Sequence, residues 1–139
     1  MSIFDTIKKW FVDDSIPETI SAQFLEIVVK KFVVVKPILR DNWYKLFSKE
    51  KVEFKLNDIM LSKRYQSETW DCDEISRFIW IRLKEMLPGI ALANIDCKTP
   101  NGIDHSCILF VDENYQVWII DNDKKVKKLD GYDIYRIEF

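Results

Sequence analysis

The segment Ser67–Gly89, SETWDCDEISRFIWIRLKEMLPG, announces a helix that opens on a cysteine. Asp71 has the short carboxylate of an N-cap, and Asp73 and Glu74 place negative charge in the first turn, where the helix dipole favours it. Ile75, Ile79, Leu83 and Met86 continue one face, with Cys72 on the same face, and Pro88-Gly89 ends the element. A thiol at a helix start is either a packed side chain or a nucleophile. The residues around it must decide which.

Downstream, three segments read as strands: IALANID, HSCILFVD and QVWIID. They are separated by turn residues at Thr99-Pro100-Asn101-Gly102 and Glu113-Asn114. KKVKKL and DIYRIEF add two shorter candidates. Upstream, Ile3, Phe4, Ile7, Trp10 and Phe11 recur at helical spacing. Ser15-Ile16-Pro17-Glu18 has capping-box spacing, and Ile20, Phe24, Ile27 and Val28 follow on one face. IVVKKFVVVKPIL leaves the change from helix to strand undecided, with Pro37 closing it. Asp41–Ser48 and Asn57–Tyr65 read as short helices. The pattern predicts an α+β domain spanning residues 1–139, in which residues 1–62 are mainly helical. Residues 63–139 form the cysteine helix and an antiparallel sheet.

Composition narrows the function. With 47% hydrophobic and 32% charged residues, the chain has the balance of a soluble globular domain. A net charge of −2 provides no basic field for nucleic acid or an anionic membrane. The run FVVV, Phe32–Val35, is too short to span a bilayer. MSIFDTIKKWFVDD reads as amphipathic and not as a signal peptide. Three cysteines make no paired framework, so the expectation is a cytoplasmic protein with reduced thiols.

The chain contains one histidine, His105, at the start of a strand candidate, and Asp121 ends the next one. Cys72, His105 and Asp121 in that order match nucleophile, general base and orienting carboxylate. Strand geometry tests the last two. A three-residue loop Glu113-Asn114-Tyr115 sets Asp112 opposite Gln116 and Cys107 opposite Asp121, which puts Asp121 on the face of His105. A two-residue loop sets Asp121 opposite Ser106, on the other face. Asn114 suits the left-handed position of the longer loop.

Trp70-Asp71-Cys72-Asp73-Glu74, His105 and Val117-Trp118-Ile119-Ile120-Asp121-Asn122 together resemble the transglutaminase-like branch of the papain-like cysteine proteinases. The resemblance is nearest to the bacterial transglutaminase-like enzymes and to papain-like domains of phage proteins and a fungal agglutinin. It covers about residues 66–123. It implies a papain-like (transglutaminase-like) core, with the cysteine helix packed on an antiparallel sheet and preceded by N-terminal helices. It also implies a cysteine-dependent peptidase or amidase acting on a protein or peptide through Cys72, His105 and Asp121. The Cys72 backbone N–H, with Gln66, Trp70 or Tyr65, would supply the oxyanion donors, and Trp70, Trp80 and Trp118 would line a substrate groove beside Cys72. Hydrolysis and transfer to an amine share the same acyl-enzyme chemistry. The alternative is an inactive papain-like fold serving as a protein-interaction module. Two positions depart from the family: Ser106 follows the histidine where alanine or tryptophan is usual, and Ser76 replaces an alanine.

Bland readings stand beside these. Cys97 and Cys107, on apolar strands, read as packed thiols. His105 and Asp121 singly could be surface and turn residues. Scattered cysteines and one histidine make no zinc set, and Asp112-Glu113-Asn114 lacks the spaced ligands of a calcium loop. No cofactor or metal is expected. Asp123-Lys124-Lys125-Val126-Lys127-Lys128 reads as a charged edge strand that discourages sheet pairing.

Overall fold

The structure is a computed structural model that describes Ile3, residues 16–61 and residues 71–139. Most of the first expected helix and the segment holding Tyr65, Gln66 and Trp70 lie outside the described residues.

A five-stranded antiparallel sheet forms the middle of the molecule. Its strands are β3 (Leu92–Lys98), β4 (Asp104–Val111), β5 (Val117–Ile120), β6 (Val126–Lys127) and β7 (Asp133–Glu138), in the order β6-β5-β4-β3-β7. The last strand therefore crosses over to pair beside β3 instead of extending the β5–β6 edge. A bulge between Asp96 and Cys97 changes the register against β7, so Ile137 faces Ile95 and Ile134 faces Cys97. Ile134 and Ile137, three apart in sequence, can thus join the same core.

β4 reads SCILFV because it is covered on both sides: all residues from Cys107 to Val111 are buried. On one side Leu92, Ile108, Phe110 and Ile120 pack with Ile75, Ile79 and Leu83 of helix α3 (Cys72–Met86). Val52 and Leu56 of helix α2 (Lys49–Leu56) join that cluster. On the other side Ala93, Ile95, Cys97, Cys107, Leu109 and Ile119 meet Leu25, Val28 and Val29 of helix α1 (Ala22–Lys30). A two-stranded ribbon, β1 (Glu18–Ser21) with β2 (Trp43–Leu46), completes that layer through Ile20, Tyr44 and Leu46.

The ribbon corrects two expected helices. Trp43, Tyr44, Lys45 and Leu46 alternate exposed, buried, exposed, buried, which is the period of a strand. The short helix expected over Asp41–Ser48 would have turned Tyr44 or Leu46 away from the core. The Tyr44 hydroxyl instead accepts hydrogen bonds from the backbone N–H groups of Arg40 and Asp41, at 3.2 and 3.0 Å. Glu18, expected in a first helical turn, lies in β1, and the cap of α1 is Ser21, whose Oγ accepts from Phe24 N at 3.2 Å. Asn57 and Asp58 form a turn and no helix follows through Leu61.

The papain-like (transglutaminase-like) α+β core with leading helices is therefore corrected. Among the described residues seven strands accompany three helices, and α1 and α2 are only 9 and 8 residues long. Strands outnumber helices among the described elements, because a sheet apolar on both faces recruits a ribbon as one of its covers.

The cap of α3 follows the sequence closely. Asp71 accepts from Asp73 N at 3.2 Å while Glu74 Oε2 accepts from Asp71 N at 3.3 Å, a reciprocal capping box. Ile79 sits fully buried at the centre of its contact with the sheet, whereas Ile81, two residues on, is 49% exposed. Ile79→Ala should therefore cost about 2–5 kcal/mol in chemical denaturation. Ile81→Ala should change stability by no more than about 0.5 kcal/mol.

Candidate functional site

The β4–β5 connection determines what meets at the site. Asp112 is only 4% exposed, and its carboxylate is satisfied by three donors. Oδ1 accepts from Asn114 N at 2.8 Å and Gln116 N at 3.0 Å, and Oδ2 accepts from Trp118 Nε1 at 2.8 Å. These bonds hold a three-residue loop, Glu113-Asn114-Tyr115, with Asp112 N donating to Gln116 O. The left-handed residue is Tyr115, at φ 60°, not Asn114. Val111 then lies opposite Val117 and Ile108 opposite Ile120, which brings Asp121 level with Cys107 and onto the face of His105.

His105 Nε2 and Asp121 Oδ1 are 2.7 Å apart, with side chains 18% and 17% exposed. Asp121 Oδ1 also accepts from Asn122 N at 2.7 Å, and Oδ2 accepts from Lys127 Nζ at 3.3 Å and the Tyr132 hydroxyl at 3.2 Å. The His105 bond is the main reason the Asp121 carboxyl is held well below the usual carboxylate range, against the opposing effect of burial. The same bond raises His105 above its ordinary value, again against burial. Tyr132 is pushed up to about 12, first by burial and then by the Asp121 charge. The cluster is thus a fixed carboxylate with its charge already shared among donors, and an imidazole oriented by it. Among the described residues His105 Nδ1 makes no hydrogen bond, so that nitrogen is the one that can meet a ligand.

Cys72 is not part of this cluster. It is half-buried at the first position of α3, and α3 packs on the face formed by Leu92, Ile108, Phe110 and Ile120. Ser76, one turn along, shares a small hollow with Ser106 and Asp96 on that face. His105, adjacent to Ser106, points to the opposite face, with Cys97 and Cys107. The sheet separates the thiol from the imidazole. The cysteines nearest His105 are packed: both are fully buried, their sulfurs are 4.0 Å apart, and Cys97 together with burial drives the Cys107 thiol far up. Trp118, expected in a substrate groove, instead donates to Asp112 beneath the Lys49 ammonium, 4.7 Å from its ring centre. Gln66 and Trp70 fall outside the described residues. Sequence reading named Asp112 only in a poor calcium loop and Lys127 only in a charged edge strand, since no motif links a loop carboxylate to a later lysine and tyrosine. Among the described residues no group of histidines, cysteines and carboxylates could hold a metal ion.

No family model matches the chain, and no curated protein matches it. Several solved chains share the fold, among them these two. One, described as "PSL1a-E64 complex", is 14% identical with a TM-score of 0.74, covering 87% of this chain and 51% of its own. The other is the Polyporus squamosus lectin bound to the human-type influenza-binding epitope Neu5Aca2-6Galb1-4GlcNAc. It is also 14% identical, with a TM-score of 0.72, covering 87% of this chain and 49% of its own. The chain thus spans about half the length of the lectin it resembles.

These findings overturn the resemblance to transglutaminase-like cysteine proteinases, and with it the peptidase or amidase. The structural likeness is to a lectin, and the thiol is across the sheet from its supposed base. The alternative of an inactive papain-like interaction module falls with the family, and neither neighbour's description names a protein or peptide substrate. Among the described residues no helix is long and apolar enough to cross a membrane.

The His105–Asp121 pair carries a definite pH signature. Because the folded His105 pKa is raised above 6.5, its contribution is full below that value and is lost as pH rises through the folded pKa. Because the folded Asp121 pKa is lowered from 3.8, its contribution is present above that value and is lost as pH falls. Asp121→Asn should therefore lower the His105 pKa, followed by NMR titration of the imidazole. It should also flatten the stability decline of the wild type above about pH 6.5.

Proposed function

We propose that this chain is a non-enzymatic ligand-binding module that takes up a glycan on the face where His105 and Asp121 meet. The carrying observation is the pairing itself: Asp121 fixes the imidazole at 2.7 Å, while Cys72 lies on the far side of the sheet. An oriented imidazole without a nucleophile can recognise but has no group to acylate. Saccharides present many hydroxyls, each both donor and acceptor, and the free His105 nitrogen, the Lys127 ammonium and the Tyr132 ring stand together to meet them. The lectin likeness supports the same reading, since the epitope bound by that neighbour is a glycan.

The test uses this chain by itself, because it spans about half of the lectin chain and the glycan must be assigned to this half or to the other. Titration with Neu5Aca2-6Galb1-4GlcNAc, followed by NMR, should perturb the resonances of His105 and Tyr132. His105→Ala should weaken binding about tenfold, the loss of roughly one hydrogen bond. Two results would overturn the reading. One is an absence of any response at these residues. The other is a covalent adduct at Cys72, detected by intact mass, on incubation with the small molecule of the PSL1a complex.

A further inference from the structure

On the face opposite His105, the apolar contact between α3 and the sheet gives way to a hollow of about 380 Å³, large enough for a small ligand. Its walls come from four separate parts of the chain: Arg40, then Arg77 and Trp80 of α3, Asn94 of β3, and Arg136 and Glu138 of β7. Arg40 Nε donates to Glu138 Oε1 at 2.8 Å, and Arg136 is paired with the same carboxylate. Arg77 has no carboxylate within ion-pair distance among the described residues. Arg136 is also paired with Asp96 at 3.6 Å, so the three guanidinium groups meet two carboxylates, and the charge of Arg77 is the one left to be matched. Arginine presents its donors as a planar fork that fits a carboxylate in two parallel bonds.

A second observation is independent of charge. The carboxamide oxygen of Asn94 is buried and has no hydrogen-bond partner. Such an acceptor carries a desolvation cost that a donor on a ligand would relieve. Beside it lies a smaller hollow of about 130 Å³ that shares Arg77, Asn94 and Arg136 and adds Asp73, Ser76, Asp96 and Ser106. There Ser76 Oγ donates to Asp73 O at 3.0 Å and Ser106 Oγ to Asp96 Oδ1 at 2.8 Å, so the serine lone pairs are what a ligand hydroxyl can meet. Trp80 is held in place by donating Nε1–H to Leu92 O at 3.1 Å, so it forms a fixed aromatic wall.

We propose that this hollow is a second binding site, for a hydroxylated carboxylic acid of sugar size. Arg77 receives the carboxylate beside the already paired Arg136, and Asn94 accepts a neighbouring O–H or amide N–H. Such a ligand carries all three needed features on one small frame: an anion, an adjacent donor and a C–H face for the indole. The proposal does not depend on the His105 face, from which the sheet divides it.

The experiment titrates the full chain with N-acetylneuraminate, using N-acetylglucosamine and inorganic phosphate as comparators. The readouts are the Trp80 indole N–H and the Asn94 side-chain amide in NMR spectra. N-acetylneuraminate should shift both, and the neutral sugar should shift neither. Arg77 is exposed, so Arg77→Ala should fold normally, which a melting curve verifies, yet weaken binding at least tenfold. Arg77→Lys should restore only part of that loss. The two readouts lie on α3 and β3, across the sheet from His105, so the outcome is independent of the glycan reading for the other face. An equal response to the neutral sugar, phosphate binding as tight as the acid, or no effect of Arg77→Ala would each overturn the proposal.

Discussion

The buried carboxylate of Asp112 is the constraint from which the site follows. With three donors converging on it, two from the loop backbone and one from the Trp118 indole, the β4–β5 hairpin can have only one length. A loop shorter by one residue would slide β5 by one position and turn every side chain on it to the other face. Ile119 and Ile120 would exchange cores, and Asp121 would leave His105 for the side of Ser106. The charge-assisted bonds at Asp112 are thus what make the His105–Asp121 contact a property of the fold.

The same sheet, apolar on both faces, defines what the molecule can do. Helix α3 needs one face for Ile75, Ile79 and Leu83, and the ribbon and α1 need the other. Each functional side chain inherits its side from the strand or helix that carries it. His105 goes with Cys107 and Leu109, and Cys72 goes with α3. Two polar regions result, one on each face: an imidazole held by a carboxylate, and an arginine-rich hollow against an indole. Neither holds a thiol beside a base.

Much of this arrangement was readable in the residues. The N-cap at Asp71, the strand character of β4 and the three-residue loop all follow from local chemistry, and the His105–Asp121 pairing follows from the loop. The ribbon was harder, since Trp43-Tyr44-Lys45-Leu46 is a short alternation and its strand character depends on a partner more than twenty residues away. The order of Cys72, His105 and Asp121, with a tryptophan three residues before the aspartate, suggested a triad. Order along a chain says nothing of which side of a sheet a helix will choose, and that choice separates the thiol from the imidazole. The arginine hollow was invisible for a related reason. Arg40, Arg77 and Arg136 come from three distant segments, and only the crossover of β7 beside β3 brings them together.

The central claim, that His105 acts without Cys72, is tested most directly by alkylation of native Cys72 with iodoacetamide. The rate is followed by mass spectrometry from about pH 5 to 8, where an imidazole changes charge. It is compared between the wild type and His105→Ala. The account predicts the same labelling profile in both proteins, because the sheet lies between the two side chains. Rapid labelling at the acid end that slows in His105→Ala would show a thiolate paired with the imidazolium, and would contradict it.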